Sequence, residues 1–114
     1  MEPEDTLTDA IRRCRVVRLS YRRQRDEVIS LHFVAPVDIR EGVTDTMRGK
    51  TYLWAFCFDE SRLERHLLDR VISVTESGEA FSPTEILEKW PEGWQLPEDW
   101  TIARDDPRWA KRST

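Results

Sequence analysis

Residues 51–58, with the sequence TYLWAFCF, decide the fold of this protein. The run is apolar on both faces of an extended chain, because successive side chains of a strand point to opposite sides. Such a run predicts a central strand that is covered on both of its faces. The polar residues 59–61 (DES) that follow it predict a turn.

Two segments before this run predict further strands, because their side chains repeat with a period of two. In residues 17–22 (VRLSYR) apolar and polar side chains alternate, which predicts a half-buried strand with a basic outer face. Residues 28–37 predict a second strand. Pro36 should confine that strand to a sheet edge or end it, because proline has no N–H to donate to a ladder. The apolar side chains on one face of this strand are Ile29, Leu31 and Phe33.

The segments around and after the central run complete the predicted sheet. Residues 40–50 are polar and predict an exposed loop. Residues 62–73 alternate again, and residues 74–81 continue to a turn at Ser77 and Gly78. Several short antiparallel strands after one helix predict a mainly β fold, a small antiparallel β-barrel.

Short helices are predicted on both sides of the sheet. Residues 7–14 place apolar side chains at helical spacing. Residues 82–85 (SPTE) form a capping-box pattern with proline at the first helical position, which predicts a helix that ends near Trp90. The candidate N-caps of the first helix are Asp5, Thr6 and Thr8.

The C-terminal part differs in composition from the rest. Prolines interrupt it, so long elements are not expected there. Its tryptophans predict a tail that wraps around the barrel and docks by aromatic burial. We therefore divide the chain into a β-barrel domain, residues 1–81, and a C-terminal helix with a Trp/Pro-rich tail, residues 82–114. The tryptophans of this part are Trp90, Trp94, Trp100 and Trp109.

Length and composition restrict the class of protein. A chain of 114 residues supports one core, and 35% charged residues describe a well-solvated surface. No stretch approaches the roughly 20 apolar residues of a membrane span, and the N-terminus lacks the basic and apolar regions of a signal peptide. We expect a cytoplasmic protein without a membrane partner.

Charge is unevenly distributed along the chain. The net charge is −4, yet seven arginines and no acidic residue lie between Arg12 and Arg25. A local basic face is therefore expected on an acidic protein. The alternative is a solvated strand edge.

The sequence does not favour catalysis, a metal or a cofactor. Cys14 and Cys57 lie outside any metal-binding spacing, so we expect buried, reduced thiols and no structural zinc site. Glu64 and His66 are same-face neighbours on a strand, which predicts an ion pair more readily than acid and base roles. No glycine-rich phosphate loop, HExxH or GxSxG is present. We expect a protein that is not an enzyme.

Several stretches together resemble one known family, the WYL domain of bacterial transcription regulators and defence-system accessory proteins. The resemblance runs from Leu7 to Phe81. Thr51 stands where the family usually has tryptophan, and Glu64 and His66 stand where it usually has an arginine and an aromatic residue. The stretches that carry the resemblance are AI at 10–11, LSYR at 19–22, Pro36, YLWAFC at 52–57, LDRVI at 68–72 and Phe81.

The resemblance implies an Sm-like or SH3-like β-barrel with a groove lined by tyrosine and arginine. In the family such a groove senses a negatively charged ligand, such as single-stranded nucleic acid or a nucleotide. Relatives usually carry a winged-helix module before this domain. The protein is then expected to be a free-standing sensor or accessory protein, or a domain of a longer chain.

Five residues are predicted to bind the ligand. Arginine binds phosphate bidentately, and Arg70 is favoured because in a strand it would point away from the neighbouring Asp69. Tyr52 shares a face with aromatic residues that predict core, but at a strand end its hydroxyl can reach a groove. The predicted ligand-binding residues are Arg18, Ser20, Tyr52, Arg65 and Arg70.

Two functions remain open at this point. The first is a ligand-sensing regulatory module for single-stranded nucleic acid or a nucleotide. The second is a protein-interaction module, in which the tail or an exposed strand edge pairs with a second copy or with a partner regulatory protein. The sequence does not identify the ligand, because contacts to phosphate carry little base information.

Overall fold

A computed structural model describes residues 2–23, 25–42 and 49–90 of the chain. The predicted loop tip at residues 43–48 and the predicted tail at residues 91–114 lie outside the described residues. The elements, in chain order, are α1 (Pro3–Arg13), β1 (Arg15–Arg22), β2 (Ile29–Glu41), β3 (Thr51–Cys57), β4 (Arg62–Leu67), a 3₁₀ turn (Leu68–Arg70), β5 (Val71–Ala80) and α2 (Pro83–Glu88).

The five strands form one antiparallel sheet in the order β4-β3-β2-β1-β5. β3, the apolar run that decides the fold, is an interior strand as expected, and β2 occupies the centre. The expectation for Pro36 was wrong, because this proline lies inside the central strand and does not end it. The register between β2 and β3 shifts from Pro36 to Asp38. This bulge accommodates a residue that cannot donate to the ladder.

The fold is mainly β, but the predicted Sm-like barrel is not closed. β4 and β5 lie at opposite edges of the sheet, although only the 3₁₀ turn separates them in sequence. The sheet therefore curls until its edges approach at this turn. Within the described ranges no ladder joins β4 to β5, so the sheet remains open.

The first helix begins earlier than the sequence predicted. Its N-cap is Glu2, and Pro3 occupies the first turn, where its missing N–H costs nothing. The helix ends at Cys14, whose left-handed conformation (φ 54°) lets its N–H reach the carbonyl of Ile11 at 3.3 Å. The buried Leu7 and Ala10 hold α1 against the sheet.

The core consists of two clusters on opposite faces of the sheet. Ala55 belongs to the cluster under α1, and its neighbour Phe56 belongs to the cluster under α2. Ile86 and Leu87 anchor α2 in the second cluster, and Trp90 packs against it. Ser82 precedes α2 as predicted, although its side chain makes no capping hydrogen bond.

The last strand differs from expectation at one point. Ser77 and Gly78, predicted as a turn, lie within β5 near a register shift against β1. Gly78 has φ 90°, a conformation that glycine adopts without a Cβ penalty. The Ser77 hydroxyl donates to the carbonyl of Val16 at 2.9 Å, so this irregularity is tied to β1.

Candidate anion-binding site

A cavity of about 490 Å³ lies at the corner where the sheet edges approach. It is lined by three cations, Arg22 at the end of β1, Lys50 before β3, and Arg70 in the 3₁₀ turn. The cations come from three elements that only the folded sheet brings to one place. The other lining residues are Glu27, Leu67, Asp69 and Ile72.

Arg70 forms an ion pair with Glu27 across this cavity. Glu27 is exposed and belongs to the β1–β2 turn, where it has a left-handed backbone (φ 61°). Asp26 stabilises this turn because its carboxylate accepts the Val28 N–H at 3.1 Å and pairs with Arg23 at 2.8 Å. The Val28 N–H and the nearby arginines lower the pKa of Asp26, although it is exposed.

The structure corrects the geometric argument made for Arg70. Arg70 and Asp69 lie in a 3₁₀ turn and not in a strand, and both line the cavity. The separation of their side chains by strand alternation therefore does not apply. Arg70 instead has Glu27 as its ion-pair partner, and the side chain of Arg70 is 26% exposed.

Two tyrosines, Tyr21 and Tyr52, lie next to Leu67 at this corner. The Tyr21 hydroxyl accepts the backbone N–H of Leu67 at 3.1 Å, which connects β1 to the end of β4. Burial raises the pKa of Tyr21, while the Leu67 N–H and the charge of Arg70 oppose this shift. Tyr52 pairs with Leu67, a residue of the cavity lining, across β3 and β4, but Tyr52 is not itself among the lining residues.

The other predicted ligand-binding residues lie outside the cavity. Arg18 and Ser20 are on the same face of β1 as Arg22, and Arg18 is exposed. Arg22 lies four positions after Arg18 along the strand, a distance of about 13 Å. Arg65 lies over the ring of Trp54, 5.5 Å from its centroid, where Trp54 packs against the α2 cluster.

Arg22 and Lys50 were not among the predicted ligand-binding residues. Arg22 did carry a signal, since it belongs to the basic face of residues 17–22. Lys50 carried none, because a single lysine at the end of a polar loop is ordinary. Lys50 reaches the corner through the pairing of β2 with β3. There the Gly42 N–H donates to the Lys50 carbonyl at 2.9 Å.

A buried histidine lies next to Tyr21, inside the curl of the sheet. His66 is 5% exposed, and its ring meets that of Tyr21 edge-on at 4.9 Å. Burial lowers the pKa of His66 to about 4, so the ring is neutral at pH 7. Its Nε2 lies 3.7 Å from Glu64 Oε1, so the two side chains meet as predicted, and the contact becomes an ion pair only when His66 is protonated.

A family model for the WYL domain matches residues 4–76, more than half of the chain. The chain belongs to the WYL domain family. All the described residues that line the cavity lie within the matched part of this WYL domain. Helix α2 lies beyond it.

A solved structure gives a second comparison. The WYL-domain chain is similar to the proteasome accessory factor B/C (PafBC) of Arthrobacter aurescens, with 29% sequence identity and a TM-score of 0.59. The similarity covers 82% of this chain and 13% of PafBC, so the chain spans a small part of that protein. Comparison with curated proteins gave no match. No helix in the described ranges is long and apolar enough to cross a membrane.

Proposed function

We propose that this WYL domain is a regulatory module that binds a negatively charged ligand, single-stranded nucleic acid or a nucleotide, in the corner cavity. The observation that carries the proposal is the convergence of Arg22, Lys50 and Arg70 on one cavity. Membership of the WYL family and the likeness to PafBC support a regulatory, ligand-sensing role.

The chemistry of the cavity suits a phosphate-bearing ligand. Guanidinium groups bind phosphate oxygens bidentately, and the ammonium of Lys50 adds a third positive charge. The volume lies within the range of about 300–1,000 Å³ that is usual for small-ligand pockets, so one or two nucleotide units fit. In this proposal Tyr52, which pairs with the lining residue Leu67 across β3 and β4, stacks on a base.

The Glu27 carboxylate competes with an incoming ligand for Arg70. This carboxylate pairs with Arg70, so an incoming phosphate must displace it. A phosphate with two charges or several oxygens gains more from Arg70 than one carboxylate does. Glu27 therefore weakens all binding and disfavours ligands that offer only a single weak anion.

Arg18 and Ser20 take a secondary role in this proposal. They lie on the same strand face as Arg22, outside the cavity, and extend its positive charge along β1. A longer single strand would follow this face and contact it through its phosphates. We propose a binding role for this cavity, since the described residues that line it are mainly cations and their carboxylate neighbours.

The test is a fluorescence-anisotropy titration of the protein with short labelled single-stranded RNA, single-stranded DNA and duplex, each at low and moderate salt. Arg70→Ala is measured beside Arg62→Ala, which removes the same charge from an exposed position at the far end of β4. We expect salt-sensitive binding of single strands that Arg70→Ala loses and Arg62→Ala keeps. Equal binding by all three proteins would reject the cavity as the site.

An exposed apolar patch favours a second proposed function, that of a protein-interaction module. On the central strand β2, Ile29, Leu31 and Phe33 are 56%, 55% and 43% exposed, and Phe58 beside them is 42% exposed. Exposed apolar patches of this kind mark interaction surfaces. The expected consequence is self-association that tolerates salt and weakens in Leu31→Gln, measured by sedimentation velocity over a range of concentrations.

A further inference from the structure

The β3–β4 turn brings together three side chains of the kinds that bind transition metals. Cys57 ends β3, Asp59 lies in the turn, and His32 projects from β2. One ligand atom from each lies within 4.8 Å of the others, and the Cys57 Sγ to His32 Nδ1 distance is 3.8 Å. The site is separate from the anion cavity, whose lining includes none of these residues.

We propose that Cys57, His32 and Asp59 bind a zinc ion. A thiolate, an imidazole and a carboxylate are all established zinc ligands, and the soft thiolate disfavours magnesium and calcium. In a tetrahedral site with ordinary zinc bond lengths, sulfur and nitrogen ligands are about 3.6 Å apart. The observed 3.8 Å is close to this value, so the ion enters with little movement of either side chain.

The backbone of the turn prepares Cys57 for a metal. The backbone N–H groups of Glu60 and Asp59 lie near the Cys57 sulfur and interact favourably with its charged form. Two such N–H groups stabilise the negative charge that a zinc-bound thiolate carries.

The surroundings of His32 select the nitrogen that faces the cysteine. The His32 Nε2 lies 2.8 Å from the Ser30 hydroxyl oxygen, and this hydroxyl donates to the Tyr21 carbonyl at 3.5 Å. Because Ser30 holds Nε2, Nδ1 is the ring nitrogen that faces Cys57, and a metal bound there requires this Nδ1 to be unprotonated.

A second histidine, His66, lies next to the candidate ligands and, among the described residues, has an unpaired ring nitrogen. Its ring lies 5.8 Å from the ring of His32, and its buried Nε2 has no hydrogen-bond partner in the described part of the chain. Such a buried polar atom is costly unless it is paired. The His66 ring thus adds a polar group beside the candidate ligands, and the exposed Asp59 side of the site gives the metal an entry path.

The test uses the full chain, stripped of metal by a chelator, kept reduced and titrated with Co²⁺ and then with Zn²⁺. We expect one equivalent of Co²⁺ to produce a thiolate-to-cobalt charge-transfer band that Zn²⁺ removes. Cys57→Ser should abolish the band, whereas Cys14→Ser, which changes the other buried cysteine, should retain it. Absence of the band in the wild-type chain, or its presence in Cys57→Ser, would overturn the proposal.

A second variant covers the case in which Cys57→Ser does not fold. Asp59 is exposed, so Asp59→Asn leaves the core intact while it weakens one ligand. We expect its Zn²⁺ affinity, measured by competition with a chromophoric chelator, to fall about tenfold or more. The matched control is Asp69→Asn, also exposed but in the 3₁₀ turn, which should bind Zn²⁺ as the wild type does. Equal affinity in Asp59→Asn and the wild type would also overturn the proposal.

Discussion

Arg70 and Glu27 form an ion pair although 43 positions separate them in the sequence. The pair joins the 3₁₀ turn between β4 and β5 to the turn between β1 and β2. It lies in the cavity that Arg22 and Lys50 also line.

Arg70→Ala should weaken the binding of a short single-stranded oligonucleotide by about 10- to 100-fold. A hydrogen bond to a charged group is worth about 1.5–3 kcal/mol, and this variant removes a charge-assisted contact from the cavity. The fold should persist, because Arg70 is not part of the buried core. The measurement is the anisotropy titration described above, with circular dichroism as the check on folding. A change of less than twofold would count against the cavity.

Glu27→Gln should strengthen the same binding by up to about fivefold. The variant removes the competitor of the ligand phosphate at Arg70, and an exposed ion pair is worth up to about 1 kcal/mol. Asp26→Asn is not a suitable control because Asp26 shapes the turn. Glu79→Gln, exposed and in β5, changes the net charge equally and should leave affinity nearly unchanged. Weaker binding by Glu27→Gln would show that Glu27 positions Arg70 for the ligand.

The salt dependence should reveal how many cations contact phosphate. Three contacts predict a slope of about −2 for the logarithm of the binding constant against the logarithm of salt concentration, since each single-strand phosphate contributes about −0.7. Arg70→Ala should make this slope shallower by about 0.7. Titrations at four or more salt concentrations provide both slopes. Identical slopes in the two proteins would place the phosphate contacts elsewhere.

Stability of the metal-free protein should fall as pH falls from about 6.5 to about 4. His66 has a pKa of about 4 in the folded protein and an ordinary value of 6.5 when unfolded, so between these values the unfolded chain binds the extra proton. The loss is on the order of 3 kcal/mol. Urea unfolding in a chelating buffer at several pH values measures it.

The control for this pH dependence is His66→Phe, which keeps an aromatic ring against Tyr21 and removes the titrating group. The free energy of unfolding of this variant should fall less over the same pH range, because the part that His66 contributes to the fall is absent. If His66→Phe and the wild type show the same pH profile, another group is responsible for the loss.

The features of the fold that depend only on residues close together in the sequence were predictable from it. Strand alternation in β1 and the apolar pattern of β3 are local, because side-chain direction follows from chain geometry alone. Pro36 shows the limit of this reasoning. Whether a proline ends a strand or sits in a bulge depends on the register with β3, and no local pattern contains that register.

The candidate sites divide in the same way. The sequence by itself determined the WYL resemblance and the basic face of β1, and it nominated Arg70 and Tyr52 as candidate ligand-binding residues, because residue type and short spacing carry those signals. Only the tertiary structure brought Lys50 and Glu27 to Arg70, placed Arg65 over Trp54, and assembled His32 with Cys57 across 25 positions. These contacts arise where distant strands pair and the sheet curls, and sheet curvature is a property of the whole packed chain.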